Sequence, residues 1–318
     1  MAGQLDPTDI TEAERAQIEA IRGSAWARYG YRDVLPPRGL TIDGRPALTG
    51  TDPRDVGRYV VFTVRDPLGG EHDEPHGLRL ARQFGPAREV GATGLFQVYT
   101  ADMDGTAVTV VATGSGSPEL ELALVEIMDH SDAEVLVYFG TAAGLHPFVS
   151  PGQVVISSGV VREEGMTKAY VDTSFPAAPS YDVVAALVSG AESAEVPYRV
   201  GLTRSTDSDP LGNGRPSVGG YFQRSHADVL DYWIRAGVLC NDREASAVVT
   251  LGTLFGRRTG VVVGVTDNFP SGKTLMVGAG MENAAETLVA GLRELSRMDA
   301  TKRAHGRQYW SPALAADS

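Results

Sequence analysis

The sequence predicts an α/β fold: a mixed, largely parallel sheet covered on both faces. Three observations carry this. Apolar runs of strand length alternate along the chain with segments whose apolar residues recur at helical spacing. Several of those runs, such as Val108 to Ala112 and Val261 to Val263, are apolar throughout, as strands buried on both faces are. Glycines or an acid follow several of the runs, and sheets of this kind bind ligands at the carboxyl ends of their strands.

The elements follow in order. Residues 1–57 form an extension with a helical pattern from Thr11 to about Tyr29, opened by a capping-box-like Thr11-Glu12-Ala13-Glu14. The core starts with a strand at Arg58–Val64. It is followed by Arg65-Asp66-Pro67-Leu68-Gly69-Gly70 and an acidic stretch from Glu71 to His76. Strands are expected near Leu95–Ala101 and Val108–Ala112. A helix is expected over Pro118–Asp129, where Leu120, Leu124, Ile127 and Met128 keep helical spacing. Then come strands at Val135–Phe139 and Gln153–Val161, a helix at Tyr181–Glu192 and a strand at Arg199–Ser205. Helices at Ser225–Arg235 and Glu244–Phe255, a strand at Gly260–Thr266 and a helix at Met281–Met298 complete the core. The tail, residues 299–318, lacks periodicity and is expected to fray or to cross a subunit boundary.

Composition narrows the function. The chain has 318 residues, 42% of them hydrophobic, and a formal net charge of −12. Such a balance argues against nucleic acid or an anionic membrane as partner, because both need a basic face. Cys240 stands alone, so no internal disulfide is possible, and we read a cytoplasmic protein without a signal segment or membrane span. His72 and His76 are four apart, but Pro75 interrupts the helix that would align them on a metal, so no metal site is assigned.

Four segments carry chemistry. Thr113-Gly114-Ser115-Gly116-Ser117-Pro118 turns tightly into a helix and can present backbone N–H groups to an anion or a hydroxyl-rich ligand. Gly140-Thr141-Ala142-Ala143-Gly144 ends a strand in glycines. Asn241-Asp242-Arg243-Glu244-Ala245-Ser246-Ala247 places acids at a helix start, and Val265-Thr266-Asp267 ends a strand on an aspartate. This order resembles the nucleoside phosphorylase superfamily, its uridine phosphorylases most closely, over about Arg58 to Leu295.

The resemblance implies a three-layer α/β/α fold whose mixed sheet partly closes as a barrel, with 58–298 as the family domain. It implies that Glu244 binds sugar hydroxyls with Asp242 beside it, and that Thr141 contacts phosphate and sugar next to Gly140 and Gly114. Asp267 stands where purine-directed relatives protonate the departing base. Asn213 and Arg215, in Gly212-Asn213-Gly214-Arg215, lie over a Gln and Arg that read uracil. The base therefore stays open between purine and pyrimidine.

The three arginines that hold phosphate in the family are absent. Gly69, Gly94 and Tyr138 stand at their positions. A dianion without cations in a partly dry site is strongly disfavoured. Either water is the acceptor, oriented by Glu71 or, second, Asp66, or cations come from new places, Arg65 and Arg243; Arg243 could instead recognise an anionic group on an unusual sugar or nucleotide. We lean to water. The expected activity is cleavage of the N-glycosidic bond of a nucleoside or nucleotide, without a cofactor. A non-catalytic nucleoside-binding relative is the alternative from another class. The resemblance also implies a homo-oligomer, a dimer or a trimer of dimers.

Overall fold

The structure, a computed structural model, describes residues 41–67 and 72–315, together with Glu12, Ala13, Ala16, Gln17 and Ala20, which are helical. The rest of the expected Thr11–Tyr29 helix lies outside the described residues, as does Glu71. Two short strands, β1 (Thr41–Ile42) and β2 (Arg45–Pro46), form a separate hairpin. The core then runs β3 (Tyr59–Val64), α1 (His76–Phe84), β4 (Ala87–Ala92), β5 (Gln97–Met103), β6 (Thr106–Thr113), α2 (Ser117–His130), β7 (Val135–Gly144) and β8 (Val154–Arg162). It continues through α3 (Tyr181–Ser193), β9 (Tyr198–Ser205), and the short helices α4 (Asp209–Gly212), α5 (Arg224–Ala227) and α6 (Val229–Arg235). Last come β10 (Val238–Asp242), α7 (Ala245–Leu254), β11 (Arg258–Asp267), α8 (Met281–Ala304) and α9 (Pro312–Ala315).

Nine strands pair in one mixed sheet in the order β10-β9-β8-β11-β7-β3-β6-β5-β4. Period-2 alternation divides each central strand between two cores. In β7, Val135, Val137 and Phe139 face the layer holding α1, α3 and α8. Leu136 and Tyr138 face the layer holding α2 and α7. The apolar runs that looked unpatterned are thus buried on both sides, each such side chain adding about 1.5–3 kcal/mol on burial.

One further pairing closes part of the sheet. β10 also pairs antiparallel with the end of β7, Cys240 opposite Gly144 and Asn241 opposite Ala143. Strands β7, β11, β8, β9 and β10 therefore form a five-stranded barrel. In β11, Asp267 also lies opposite Ala143, so Asn241 and Asp267 flank one residue at one rim. Among the described residues no helix is long and apolar enough to cross a membrane.

Several expectations are corrected. The strand expected to end at Phe139 runs on through Gly140–Gly144 as part of β7, because β10 and β11 supply backbone partners that a local reading does not contain. Asp242 belongs to β10 and Glu244 immediately precedes α7, so neither lies inside a helix's first turn. The Ser225–Arg235 segment is two short helices that meet at Asp228. Pro75 does not break a helix but precedes α1 as its cap residue. The last helix runs on to Ala304, and the tail then folds back: Trp310 packs on the core and its carbonyl accepts from the Tyr181 hydroxyl at 2.8 Å.

Candidate active site

The carboxyl ends of β3, β6, β7, β10 and β11 converge on a cavity of about 230 Å³. Of the residues expected at the site, Asp267, Glu244, Asp242, Arg243, Thr141 and Asn213 line it. Ser115, Tyr138, Asp66, Asp209, Thr206, Asn241 and Thr266 line it as well.

The glycine turn and the acidic segment are stitched together. Gly116 adopts φ +103°, which suits glycine, and precedes α2. Its N–H donates to Glu244 Oε1 at 2.5 Å, and the Ser115 hydroxyl donates to the same oxygen at 3.1 Å. The Ser117 amide and hydroxyl donate to the Arg243 carbonyl at 3.0 and 2.7 Å. From the opposite side the Tyr138 hydroxyl donates to Glu244 Oε2 at 2.7 Å. The N–H offered at the head of α2 thus goes to a carboxylate of the chain itself. Glu244 is 4% exposed and held by three donors. Two acceptor directions per oxygen leave it one unfilled direction, on Oε2, for a ligand hydroxyl.

Asp242 serves the scaffold. Its Oδ1 accepts from the Ser205 hydroxyl at 2.5 Å and its Oδ2 from the Ala245 N–H at 2.7 Å, which caps α7. Burial and the nearby charge of Glu244 raise its pKa above the usual carboxylate range. Arg243 reaches back over the glycine turn, donating to Ser115 Oγ at 3.2 Å and to the Asp207 carbonyl at 3.1 Å. Its buried Nε has no hydrogen-bond partner among the described residues.

Asp267 is 5% exposed. Oδ2 accepts from the Thr266 hydroxyl at 3.0 Å, while Oδ1 is buried without a partner among the described residues. Burial pushes its pKa up, and the Thr266 hydrogen bond and the Arg215 charge offset this only in part. A cavity-lining carboxyl whose pKa is raised and one of whose oxygens is unpaired is better equipped to act as an acid than a solvated one.

Asn213 and Arg215 are occupied by other protein groups. Asn213 donates to Asp209 at 3.0 Å and accepts from Asn241 at 2.6 Å. Arg215 pairs with Asp209 at 2.6 Å, lies over the Phe269 ring at 5.7 Å and does not line the cavity. Arg65 also stays off the cavity, donating to the Gly94 carbonyl at 3.3 Å and meeting Glu119 at 3.5 Å. Gly114 and Gly140 make room rather than contacts: a Cβ at 114 would strike the Glu119 carboxyl, and one at 140 would lie 2.8 Å from the Tyr138 Cζ. The cavity wall carries five carboxylates, Asp66, Asp209, Asp242, Glu244 and Asp267, and among the described residues Arg243 is its one cation.

Sequence reasoning did not assign roles to Ser115 or Asn241, although both sit inside the segments it singled out. Tyr138 was visible only as an arginine that is missing.

The model of the phosphorylase superfamily matches residues 72–297. The chain belongs to this superfamily. A uridine phosphorylase of Thermococcus kodakarensis is 30% identical over 282 residues, covering 88% of this chain and 98% of the relative. A uridine phosphorylase of Treponema pallidum is 31% identical, over 69% of this chain and 81% of the relative. A guanosine phosphorylase of Halorubrum lacusprofundi is 29% identical, over 56% and 68%. Membership in the superfamily accounts for the barrel that β10 closes and for the order of the four segments around the cavity.

Proposed function

We propose that this superfamily member is an enzyme that cleaves the N-glycosidic bond of a purine-type nucleoside, with phosphate as the acceptor. The observation that carries the reading is Asp267, which lines the cavity and whose buried Oδ1 has no partner among the described residues. A purine offers a ring nitrogen that can take a proton as the bond breaks; uracil leaves instead on its carbonyls. Asn213 and Arg215, the pair expected to read uracil, already bind Asp209 and Asn241. The guanosine phosphorylase among the relatives is consistent with a purine.

In this reading the glycosidic bond lengthens and its electrons pass to the base, which Asp267 protonates. Positive charge builds on the sugar. Glu244, fixed by Ser115, Gly116 and Tyr138, accepts a sugar hydroxyl on Oε2 and steadies that charge. A phosphate oxygen, brought in beside Arg243 and Ser115, bonds to the anomeric carbon as the base leaves, giving the sugar 1-phosphate and the protonated free base. The names of the relatives favour phosphate over the water suggested by the missing arginines.

A second reading keeps water as acceptor, and the charge of the cavity favours it. Five acidic side chains, two of them with raised pKa values, against Arg243 as the one cation among the described residues are a poor host for a dianion. Asp66 is then the carboxylate on the cavity that would orient the water.

The deciding experiment is release of free base from inosine, guanosine and uridine, with and without inorganic phosphate. Release from the purines that requires phosphate supports the proposal. Phosphate-independent release establishes hydrolysis, and preference for uridine overturns the role of Asp267. Glu244→Ala should abolish release in either case; full activity in that variant would remove Glu244 from the sugar site.

A further inference from the structure

The opposite ends of the same strands frame a second cavity, of about 490 Å³. It lies where Arg58 precedes β3, Glu134 precedes β7 and Arg258 opens β11. Along β11 this is about 30 Å from Asp267, at roughly 3.3 Å per residue, so the two cavities are separate.

Their electrostatics are opposite. The catalytic cavity is acidic, whereas five cations against three carboxylates line this one, in a chain whose net charge is −12. The floor is neutral and rigid. Arg258 binds Asp182 at 3.0 Å and Asp299 at 2.6 Å, and Lys302 binds Asp299 at 2.8 Å. The Tyr59 hydroxyl also donates to Asp299 at 2.7 Å. Burial opposes ionisation of Asp299, but the hydrogen bonds from Arg258 and Lys302 outweigh it and hold its pKa at about 2. Arg58 is paired with Glu134 at 2.5 Å.

The surplus sits on the rim. Arg303 and Arg307 are exposed, and neither guanidinium has a hydrogen-bond or ion-pair partner among the described residues; their hydrogen bonds are backbone ones. Tyr181 and Tyr309, 55% and 57% exposed, stand beside them on the same cavity. Two unpaired guanidiniums suit a phosphate dianion, and two open phenol rings suit a flat ring system.

We propose that this cavity is a second ligand site, specific for a phosphomonoester that carries an aromatic ring, a nucleoside monophosphate being the simplest case. Arg303 and Arg307 hold the phosphate, and Tyr181 and Tyr309 flank the ring. The neutral floor neither adds attraction nor repels the ligand. The inference is independent of the reading of the catalytic cavity, since it uses none of its residues.

Calorimetric titration with AMP, inorganic phosphate and adenosine tests it, on the full chain and on the double variant Arg303→Ala/Arg307→Ala. Both guanidiniums are exposed and unpaired among the described residues, so the variant should fold and keep its base-release activity. AMP is expected to bind the wild type saturably, more tightly than inorganic phosphate, and at least tenfold more weakly in the double variant. Affinity should also fall steeply with salt. Adenosine binding should not change between the two proteins. Arg303→Lys/Arg307→Lys should retain part of the AMP affinity through charge alone. AMP binding that persists unchanged in the alanine variant belongs to the catalytic cavity and overturns the proposal. So does the absence of saturable AMP binding, or phosphate binding as tightly as AMP.

Discussion

Tyr138 and Glu244 meet at the cavity wall, the phenol hydroxyl donating to Oε2 of the carboxylate at 2.7 Å. Tyr138 stands where the resemblance to uridine phosphorylases places an arginine. A cation there would attract an anion; a phenol supplies direction without charge. Burial, then the charge of Glu244, raises the Tyr138 pKa well above its ordinary value, so the hydroxyl stays a donor at any working pH. Together with Ser115 and Gly116 it fixes the carboxylate in one orientation before substrate arrives.

Removing that hydroxyl should therefore damage turnover more than binding. Tyr138→Phe leaves Oε2 of a buried carboxylate without its protein donor, at a cost of about 1–3 kcal/mol in stability. We expect kcat to fall about tenfold or more while KM changes less, since the substrate still has Glu244 to bind. Steady-state kinetics with a thermal melt checks both. An unchanged kcat would show that the carboxylate needs no orientation from Tyr138.

Asp267 gives a pH prediction of definite sign. Its pKa is raised by burial, and a general acid works only while protonated. Turnover should decline as pH rises through that pKa, and this alkaline limb should vanish in Asp267→Asn. The variant should lose about 10²-fold or more in kcat for purine nucleosides. A pH–rate profile that keeps the same alkaline limb in the variant would assign the limb to another group.

What could be read from the sequence divides along a physical line. The central strands were legible as continuous apolar runs of strand length, and α2 and α8 as apolar residues at helical spacing; α3 and α7 were legible as longer segments between strands. β10 was not: Val238 to Asp242 is five residues long and ends in polar side chains, and its partners β7 and β9 are remote in sequence. β4, Ala87–Ala92, carries Arg88 and Glu89 and pairs as the sheet's outermost strand, so it lacks an apolar run. The helix α1 was hidden by Pro75 and Gly77; Gly77 packs so close that a Cβ would lie 3.0 Å from Ala112 and 3.1 Å from Tyr99. At the site, residue types and segments were legible, but their partners were not. That Asn213 is held by Asn241, or that Glu244 lies on the Ser115 turn, depends on contacts 28 and 129 residues apart.

His76 should make stability sensitive to mild acid. It opens α1, stacks on Phe139 with ring centroids 5.9 Å apart, and lies 3.2 Å from the Thr63 hydroxyl. Burial, helped by the charge of Arg79, lowers its pKa from 6.5 to about 4. The unfolded chain then binds a proton that the folded chain refuses between those values. The contribution is present in full above pH 6.5 and is lost as pH falls towards 4, an effect of up to about 3 kcal/mol. Urea unfolding across this range should show the slope, and His76→Phe should flatten it by close to one proton. A slope that persists in the variant would place the acid sensitivity elsewhere.

Gly140 tests whether Tyr138 and Glu244 act as one unit. Residues 138 and 140 project from the same face of β7, and the space a side chain at 140 would need is taken by the tyrosine, whose Cζ would lie 2.8 Å from the new Cβ. Gly140→Ala must therefore push the ring, and the ring can yield only by drawing its hydroxyl away from Glu244. We expect a loss of about 1–3 kcal/mol in stability from overpacking and a fall in kcat close to that of Tyr138→Phe. The double variant Gly140→Ala/Tyr138→Phe should then lose little further turnover, because the hydrogen bond is already gone. In Tyr138→Ala, where the ring is absent, the alanine at 140 should cost far less stability than it does in the wild type. Kinetics and thermal melts of the three single variants and two doubles complete the cycle. Strict additivity in kcat would mean that Gly140 acts on the site by a route other than Tyr138.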